Sequence, residues 1–226
     1  MKSLALPKIL SNAPLFVAAL MVAACSTTAP APAGPSSTLQ AHVWQCSDGS
    51  TISTRNLYSP AGIALRTGGE TRTLPQVRAA SGVRYQDAVM QFWNKGDSAT
   101  LERQAGATVD CREVRSLSLL EDARVRGVTF RGVGNEPGWR LEIGPAHRVM
   151  FEDGYGSMRI IFQSLPPLPE TISGVTIHES TSGSHRLKVT LRREICADTM
   201  SDETFPYSVD VEIDGARRRG CGTSLR

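Results

Sequence analysis

The sequence predicts an all-β protein with two β-rich domains. Short runs in which apolar and polar residues alternate recur along the chain, and turn signals such as Asp48-Gly49 and Thr67-Gly68-Gly69 separate them. A single stretch, residues 113–127, has the apolar spacing of a short helix. The charges are balanced, with 25 Lys and Arg against 22 Asp and Glu. We find no phosphate-binding loop and no basic-aromatic face in the sequence, so it gives no sign of a nucleic-acid partner.

The first β-rich domain is predicted at residues 41–114. Its strands follow one another closely and lack a helical period, which favours a small antiparallel barrel or sandwich. Trp44, Tyr85, Phe92 and Trp93 are interpreted mainly as core or barrel-wall residues. The predicted strands are 42–46, 51–57, 62–66, 70–74, 75–80, 89–94, 98–103 and 107–112.

The most informative stretch of this domain is residues 81–101. It is predicted to form two short strands around the turn Asn94-Lys95-Gly96-Asp97, whose glycine supplies a positive φ. Lys95 is therefore expected at an exposed hairpin tip. Ser81-Gly82 is expected to open a second turn. By themselves, these residues favour an ordinary hairpin with a solvated lysine.

The same stretch also carries a specific motif, Ser-Gly-x-Arg-Tyr followed by Phe-Trp-x-Lys-Gly-x-x-Ala. This motif resembles the signature of the membrane-bound inhibitors of C-type lysozyme, and the resemblance covers Trp44 to about Cys111. It implies an antiparallel β-barrel that binds C-type lysozyme. The matching residues are Ser81, Gly82, Arg84, Tyr85, Phe92, Trp93, Lys95, Gly96 and Ala99.

The resemblance implies that Ser81 and Lys95 enter the active-site cleft of lysozyme, with Gly82, Arg84 and Tyr85 as further contact residues. A retaining glycosidase works with one protonated and one ionised carboxyl group. A lysine ammonium can pair with the ionised carboxylate, and a serine hydroxyl can donate to or accept from the acid. The pair therefore suits the chemistry of that cleft.

The charge of the barrel segment opposes long-range attraction to such a partner. Residues 41–112 hold eight Arg and Lys and six Asp and Glu, so the net charge is 8 − 6 = +2. C-type lysozymes are themselves basic, which makes electrostatic steering unfavourable. Any of three conditions would reconcile this positive charge with the resemblance. Local acids such as Asp87 and Asp97 dominate the contact surface, the affinity for lysozyme is modest, or the natural target is another molecule.

The N-terminal residues predict export and lipidation. Residues 1–24 have two lysines before a short apolar run, and Val22-Ala23-Ala24-Cys25 is similar to a bacterial lipobox. This similarity implies cleavage before Cys25 and acylation of that residue, including palmitate-type chains. Ser26, in place of Asp, favours the outer membrane with the protein facing the periplasm. Residues 25–40 are predicted to be the lipidated cysteine and a flexible, Pro- and Ala-rich tether.

Four cysteines remain after Cys25, an even number in an oxidising compartment. Four cysteines allow three pairings. Cys46–Cys111 with Cys196–Cys221 is the pairing that keeps each bridge within one domain. No Cys-x-x-Cys occurs and no histidine has ligand spacing to a cysteine, so neither a metal site nor a cofactor is expected.

Residues 115–127 are predicted to be a linker that includes a short helix, with Ser118 as the N-cap before Glu121. Residues 128–226 form the second β-rich domain, with a rigid loop at 165–169. The segments 134–139, 196–206 and 220–222 resemble an uncharacterised domain of envelope lipoproteins. The predicted strands of this domain are 128–133, 139–143, 147–152, 157–162, 171–178, 184–192 and 207–213.

Two charged groups in this domain are interpreted as structural. The carboxylates Glu136, Asp198, Asp202 and Glu203 do not follow calcium-loop spacing, so turn or capping roles are favoured. The basic run 217–219 is typical of a solvated strand or turn face, with contact to anionic lipid or wall polymer as the alternative.

The sequence contains no catalytic triad and gives no reason to expect an enzyme. Two function hypotheses remain. The first is a lipid-anchored inhibitor of C-type lysozyme. The second is an envelope lipoprotein whose C-terminal domain binds a small ligand or a cell-wall component.

Overall fold

The computed structural model describes residues 39–104, 106, 108–163, 174–201 and 203–226. Thr38–Arg226 forms one compact unit that contains both disulfides. This unit is therefore the soluble fragment for the experiments below. The predicted signal peptide, Cys25, most of the tether, the loop 165–169 and Asp202 lie outside the described residues.

Eight antiparallel strands close into the predicted barrel, with β1 paired to β8. The predicted segments 70–74 and 75–80 are one strand, and Val83–Gln86 forms an additional strand that the alternation alone did not predict. The strands are β1 (Ala41–Cys46), β2 (Thr51–Tyr58), β3 (Ala61–Thr67), β4 (Glu70–Val77), β5 (Val83–Gln86), β6 (Met90–Lys95), β7 (Ser98–Arg103) and β8 (Val109–Glu113).

The side chains on the inward-facing side of each strand fill the barrel interior. Trp44 and Phe92 lie edge to face at its centre with ring centroids 5.4 Å apart, and the Trp44 indole N–H donates to the Thr54 hydroxyl. Cys46 and Cys111 are cross-strand partners of β1 and β8 and form the predicted disulfide. The first and last strands of the barrel are thus joined covalently as well as by backbone hydrogen bonds.

A single helix, α1 (Arg115–Val125), follows the barrel. The predicted N-cap at Ser118 is wrong, because the helix begins one turn earlier, after Val114, and has no side-chain cap. Ser118 is instead fully buried inside the helix, where its hydroxyl accepts the backbone N–H of Val43 at 2.8 Å. The Asp122 carboxylate accepts the backbone N–H of Gln40 at 2.7 Å. The helix is therefore fastened to the first strand of the barrel by two polar side chains.

The second β-rich region is one eight-stranded antiparallel sheet around a single apolar core. Its strands are β9 (Phe130–Asn135), β10 (Gly138–Ile143), β11 (Arg148–Asp153), β12 (Met158–Gln163), β13 (Val175–Ser182), β14 (His185–Arg192), β17 (Tyr207–Ile213) and β18 (Ala216–Ser224). Two short strands, β15 (Cys196–Ala197) and β16 (Thr204–Phe205), pair separately. The order of the sheet is β12-β11-β10-β9-β18-β17-β14-β13, and the Ser180 hydroxyl of β13 donates to the Gln163 carbonyl of β12 at 3.0 Å.

The longest of these strands, β18, contains the basic run and was not among the predicted strands. Each arginine of the run is paired with an acid. Arg217 and Arg219 reach the acids directly opposite them on β17, whereas Arg218, on the other face of the sheet, reaches Asp153 of β11. The pairs are Arg217–Glu212 at 3.6 Å, Arg218–Asp153 at 2.7 Å and Arg219–Asp210 at 3.3 Å. The second disulfide, Cys196–Cys221, ties β15 to this strand as predicted.

A buried ionic network joins the end of α1 to the second sheet. Glu142 is 4% exposed and binds the Arg126 guanidinium through two hydrogen bonds of 2.8 and 3.0 Å. Glu142 also accepts a hydrogen bond from the Arg131 guanidinium at 2.5 Å. The Arg126 guanidinium in turn donates to the Asp122 carboxylate of the helix at 2.9 Å. Burial alone raises the pKa of Glu142, but the hydrogen bond from Arg126 and the charges of Arg126, Arg131 and Arg140 hold that pKa below its usual value.

We expect Glu142→Gln to lower the free energy of unfolding of Thr38–Arg226 by about 3 kcal/mol, because it leaves Arg131 buried without a counter-charge. The depressed pKa means that this contribution is present above the pKa of Glu in the unfolded chain and is lost as the pH falls through the folded-state value. The variant should therefore lose less stability than the wild type on acidification below about pH 4.3. Urea titrations between pH 3 and 7 measure both effects.

Glu152→Gln is the matched control, since Glu152 pairs with Arg140 in a more exposed position. It should cost less than about 1 kcal/mol. Equal costs for the two variants would contradict the assignment of Glu142 as the buried centre of the network.

Candidate functional site at the barrel rim

Ser81 and Lys95 lie at the same end of the barrel, on neighbouring turns. The register of β5 and β6 pairs Val83 with Asn94, so the turn before β5 meets the last residue of β6. Both Ser81 and Lys95 are exposed. The structure therefore brings together the two residues that the motif singles out.

Gly82 makes this close approach possible. Its φ is +66°, and a Cβ built on it would lie 2.4 Å from the Asn94 carbonyl oxygen and 2.7 Å from Cγ of Lys95. Only a glycine accepts both this backbone conformation and this contact. The turn at residues 81–82 is consequently pressed against the tip of the β6–β7 hairpin.

Trp93 contacts both candidate residues. Its indole N–H donates to the Ser81 carbonyl at 2.8 Å, and the Lys95 ammonium lies 3.7 Å from the centroid of its ring. The ring thus fixes the serine turn from one side and holds the ammonium by a cation–π contact. Trp93 belongs to none of the three apolar core clusters of the described residues. It lies on the outer face of β6, whereas Trp44 and Phe92 are the core aromatics.

Arg84 and Tyr85 occupy opposite faces of β5. Arg84 pairs across the sheet with Trp93 and donates to the Arg78 carbonyl at 2.8 Å. Tyr85 pairs with the buried Phe92 and packs against the barrel core, where burial raises the pKa of its phenol. Arg84 therefore shares the face of the candidate site, while Tyr85 is a half-buried residue beneath it.

A groove of about 630 Å³ runs from Lys95 and Trp93 across the outer faces of β7 and β8 to the rim of the Cys46–Cys111 disulfide. Arg112 in this groove forms a 2.8 Å ion pair with Asp97, and both side chains are more than two-thirds exposed. Asp87 pairs with Arg72 at 3.0 Å, and its pKa is lowered first by the backbone N–H of Val89. Neither acid is a free negative charge, so they do not form an acidic patch for a basic partner.

Lys95 itself forms no ion pair within the described residues. Its ammonium is held over an aromatic face and remains open on its other sides to solvent or to a partner. Sequence reasoning missed the role of Trp93, although the alternation of β6 contained the signal. Residues 93 and 95 fall on one face of a strand because side chains alternate, while Phe92 falls on the other.

Among the candidate carboxylates of the second region, Asp198 has structural contacts. Asp198 accepts the backbone N–H of Met200 at 2.9 Å, as expected of a turn residue, and also accepts the side-chain amide of Asn135. Glu136 is exposed. No group of three or more His, Cys, Asp or Glu side chains in the described ranges is arranged to hold a metal ion. In the part of the chain that is described, no helix combines the length and apolarity that crossing a membrane requires.

Comparison with known proteins finds a family and a protein to which part of this chain is similar. Residues 44–110 match the model of the family described as membrane-bound lysozyme-inhibitor of c-type lysozyme. The chain is also 47% identical over 51 residues to the membrane-bound lysozyme inhibitor of C-type lysozyme from Yersinia enterocolitica, which covers 22% of this chain and 44% of that protein. No solved structure matches the chain. The family match confirms the resemblance of the N-terminal barrel and does not extend to the second sheet.

We expect Gly82→Ala to separate the two candidate residues, because the added Cβ collides with the Asn94 backbone. The free energy of unfolding should fall by about 2–4 kcal/mol, which combines left-handed strain with overpacking. Gly96→Ala is the control, since Gly96 has a φ of +63° but no atom within 4 Å of its added Cβ. It should cost about 1 kcal/mol. Urea denaturation compares them, and equal costs would mean that the close approach at Gly82 is unimportant.

Proposed function

We propose that this protein is a lipid-anchored inhibitor of C-type lysozyme and not an enzyme. In this proposal the barrel rim inserts Lys95 and Ser81 into the lysozyme cleft. The observation that carries it is the arrangement at the rim, where two exposed side chains that match the inhibitor motif sit on neighbouring turns fixed by Trp93 and Gly82. The family match of the barrel and the name of the relative support the same partner.

The inhibition requires only occupancy of the cleft. The Lys95 ammonium pairs with the ionised carboxylate of the glycosidase, and the Ser81 hydroxyl hydrogen-bonds to the protonated one. Substrate is then excluded from both catalytic groups. The Lys95 ammonium loses its bound water when it enters the cleft, and this desolvation opposes binding. The Trp93 ring stays in contact with the ammonium and offsets part of the desolvation cost.

Preorganisation contributes to the affinity. A free lysine side chain has many rotamers, and ordering it on binding costs about 0.5–1.5 kcal/mol. Because Lys95 already rests on Trp93, part of this ordering is complete before the partner arrives. This matters here because the net +2 charge of residues 41–112 gives no long-range attraction to a basic lysozyme. Short-range fit at the rim therefore has to supply the binding energy.

The proposal also includes the anchor. Acylation of Cys25 would hold the protein at the periplasmic face of the outer membrane, and the tether that follows would let the barrel meet lysozyme that reaches the cell wall. Several acyl chains together suffice for stable anchoring, at about 0.8 kcal/mol per buried CH₂.

We expect Lys95→Ala to weaken inhibition of C-type lysozyme by about 30-fold to several hundred-fold, because it removes the charge that meets the catalytic carboxylate. Ser81→Ala should weaken it by about 3- to 30-fold, since a neutral hydrogen bond is lost. The measurement is the inhibition constant of Thr38–Arg226 against lysozyme hydrolysis of cell-wall substrate.

Lys188→Ala is the matched control, because Lys188 lies on β14 in the second sheet and pairs with Glu179. It should leave the inhibition constant unchanged. Inhibition that survives in full in both Lys95→Ala and Ser81→Ala would refute the insertion mechanism while keeping lysozyme as the partner. The absence of inhibition by the wild-type fragment would refute the function itself.

For the anchor, we expect Cys25→Ala to abolish incorporation of labelled palmitate and to release the protein from the membrane fraction. Cys46→Ala, which lacks a barrel disulfide thiol but keeps Cys25, should still incorporate label. Equal labelling of wild type and Cys25→Ala would contradict lipidation at this residue.

A further inference from the structure

The second sheet has a half-open pocket of about 390 Å³ at the end where β9, β10, β13 and β17 approach the turn after Ile143. Its apolar wall includes Phe130, Ile143 and Leu191, all at most 6% exposed. Tyr207 completes this wall, edge to face with Phe130 at 5.4 Å. The volume and the lining fit a small molecule with an apolar or aromatic body.

His178 is the unusual polar group of this pocket. It lies on β13, is only 6% exposed and lines the cavity. Its Nδ1 is buried and has no hydrogen-bond partner within the described residues. Buried polar groups are normally paired, because an unpaired one loses its bonds to water without replacement. This unmet hydrogen bond lies beside the cavity, and a ligand bound there would supply the missing partner once the ring turns to face it.

The charge of the lining indicates which chemical group that partner carries. His147, His178 and Arg226 line the pocket, whereas no Asp or Glu of the described residues does. Burial, and then the charge of the neighbouring His147, lower the pKa of His178, and a neutral imidazole has one donor and one acceptor nitrogen. The Arg226 guanidinium only donates, so an acceptor group is favoured over a donor, and an anionic acceptor gives the stronger hydrogen bond. Two imidazoles are too few to hold a metal ion by themselves.

Another groove of the same region does not have this property. It holds about 640 Å³ near the Cys196–Cys221 disulfide, but its charged groups already have partners. Arg192 and Arg219 both bind Asp210, and Glu194 accepts the Ser208 hydroxyl. The smaller pocket is thus the better candidate, because it combines a cavity with an unmet hydrogen bond.

We propose that this pocket is a binding site for a small aromatic or branched monocarboxylic acid, whose carboxylate accepts a hydrogen bond from the His178 imidazole while its apolar body packs on Phe130 and Tyr207. The site is separate from the barrel rim and does not depend on lysozyme inhibition. It gives the second sheet a role that the inhibitor family does not provide.

The test uses phenylacetate as the probe, with benzyl alcohol and phenethylammonium as neutral and cationic analogues of similar shape. We expect phenylacetate to bind Thr38–Arg226 saturably with a Kd of about 0.1–1 mM by calorimetry, and phenethylammonium not to bind. His178→Leu should weaken phenylacetate binding about tenfold or more and change benzyl alcohol binding by less than about threefold. His185→Leu is the control, since His185 is exposed on β14 and pairs with Asp214. It should leave phenylacetate binding unchanged.

A second measurement keeps the proposal falsifiable if His178→Leu does not fold, as judged by near-ultraviolet circular dichroism. In the wild-type fragment, phenylacetate should shift the imidazole nitrogen resonances of His178 and leave those of His185 in place. No saturable binding, equal binding of the cationic analogue, or unchanged affinity in a folded His178→Leu would each overturn the site. Binding of phenylacetate that shifts His185 instead would also overturn it.

Discussion

The contact on which the rim of the barrel depends is made by the outward-facing indole of Trp93. One edge of the ring donates to the backbone of the Ser81 turn, and its face holds the ammonium of Lys95. A single rigid side chain thus links two turns that are fourteen residues apart in sequence. Both contacts need the turn to lie directly against the hairpin, and Gly82 permits this because no Cβ stands between it and the Asn94 carbonyl. Without these two residues the serine and the lysine would sit on independent loops.

The helix after the barrel is more than a connector. Ser118 and Asp122 accept backbone N–H groups from the first strand of the barrel and the residue before it. Arg126, just past the helix, reaches Glu142 in the second sheet. Polar side chains that are buried and fully bonded specify one arrangement, because each shift would leave a donor or an acceptor unpaired. The same chain segment therefore bonds to both β-rich regions, whose apolar cores are separate.

The two regions differ in how their polar groups are satisfied. At the barrel rim the lysine is exposed, so an unpaired charge there costs little and stays available to a partner. In the second sheet most charged groups are paired, including all three arginines of β18. His178 departs from this pattern in a place that water hardly reaches. An unmet bond at a buried atom has a different meaning from one at the surface, since only the buried atom lacks water as a substitute.

The sequence by itself determined the all-β class and the even number of cysteines left for disulfides, because two-residue alternation, turn residues and cysteine number are local or countable properties. The family resemblance indicated the barrel, and the predicted domain boundary favoured one of the three cysteine pairings. It also determined the motif that singles out Ser81 and Lys95. Only the tertiary structure decided that Ser118 is buried against β1 instead of capping a helix, that the basic run is a strand with paired arginines, and that Trp93 lies outside the core. It alone revealed the pocket at His178. Each of these depends on which strands become neighbours, and such pairings join residues far apart in the chain that no local pattern can connect.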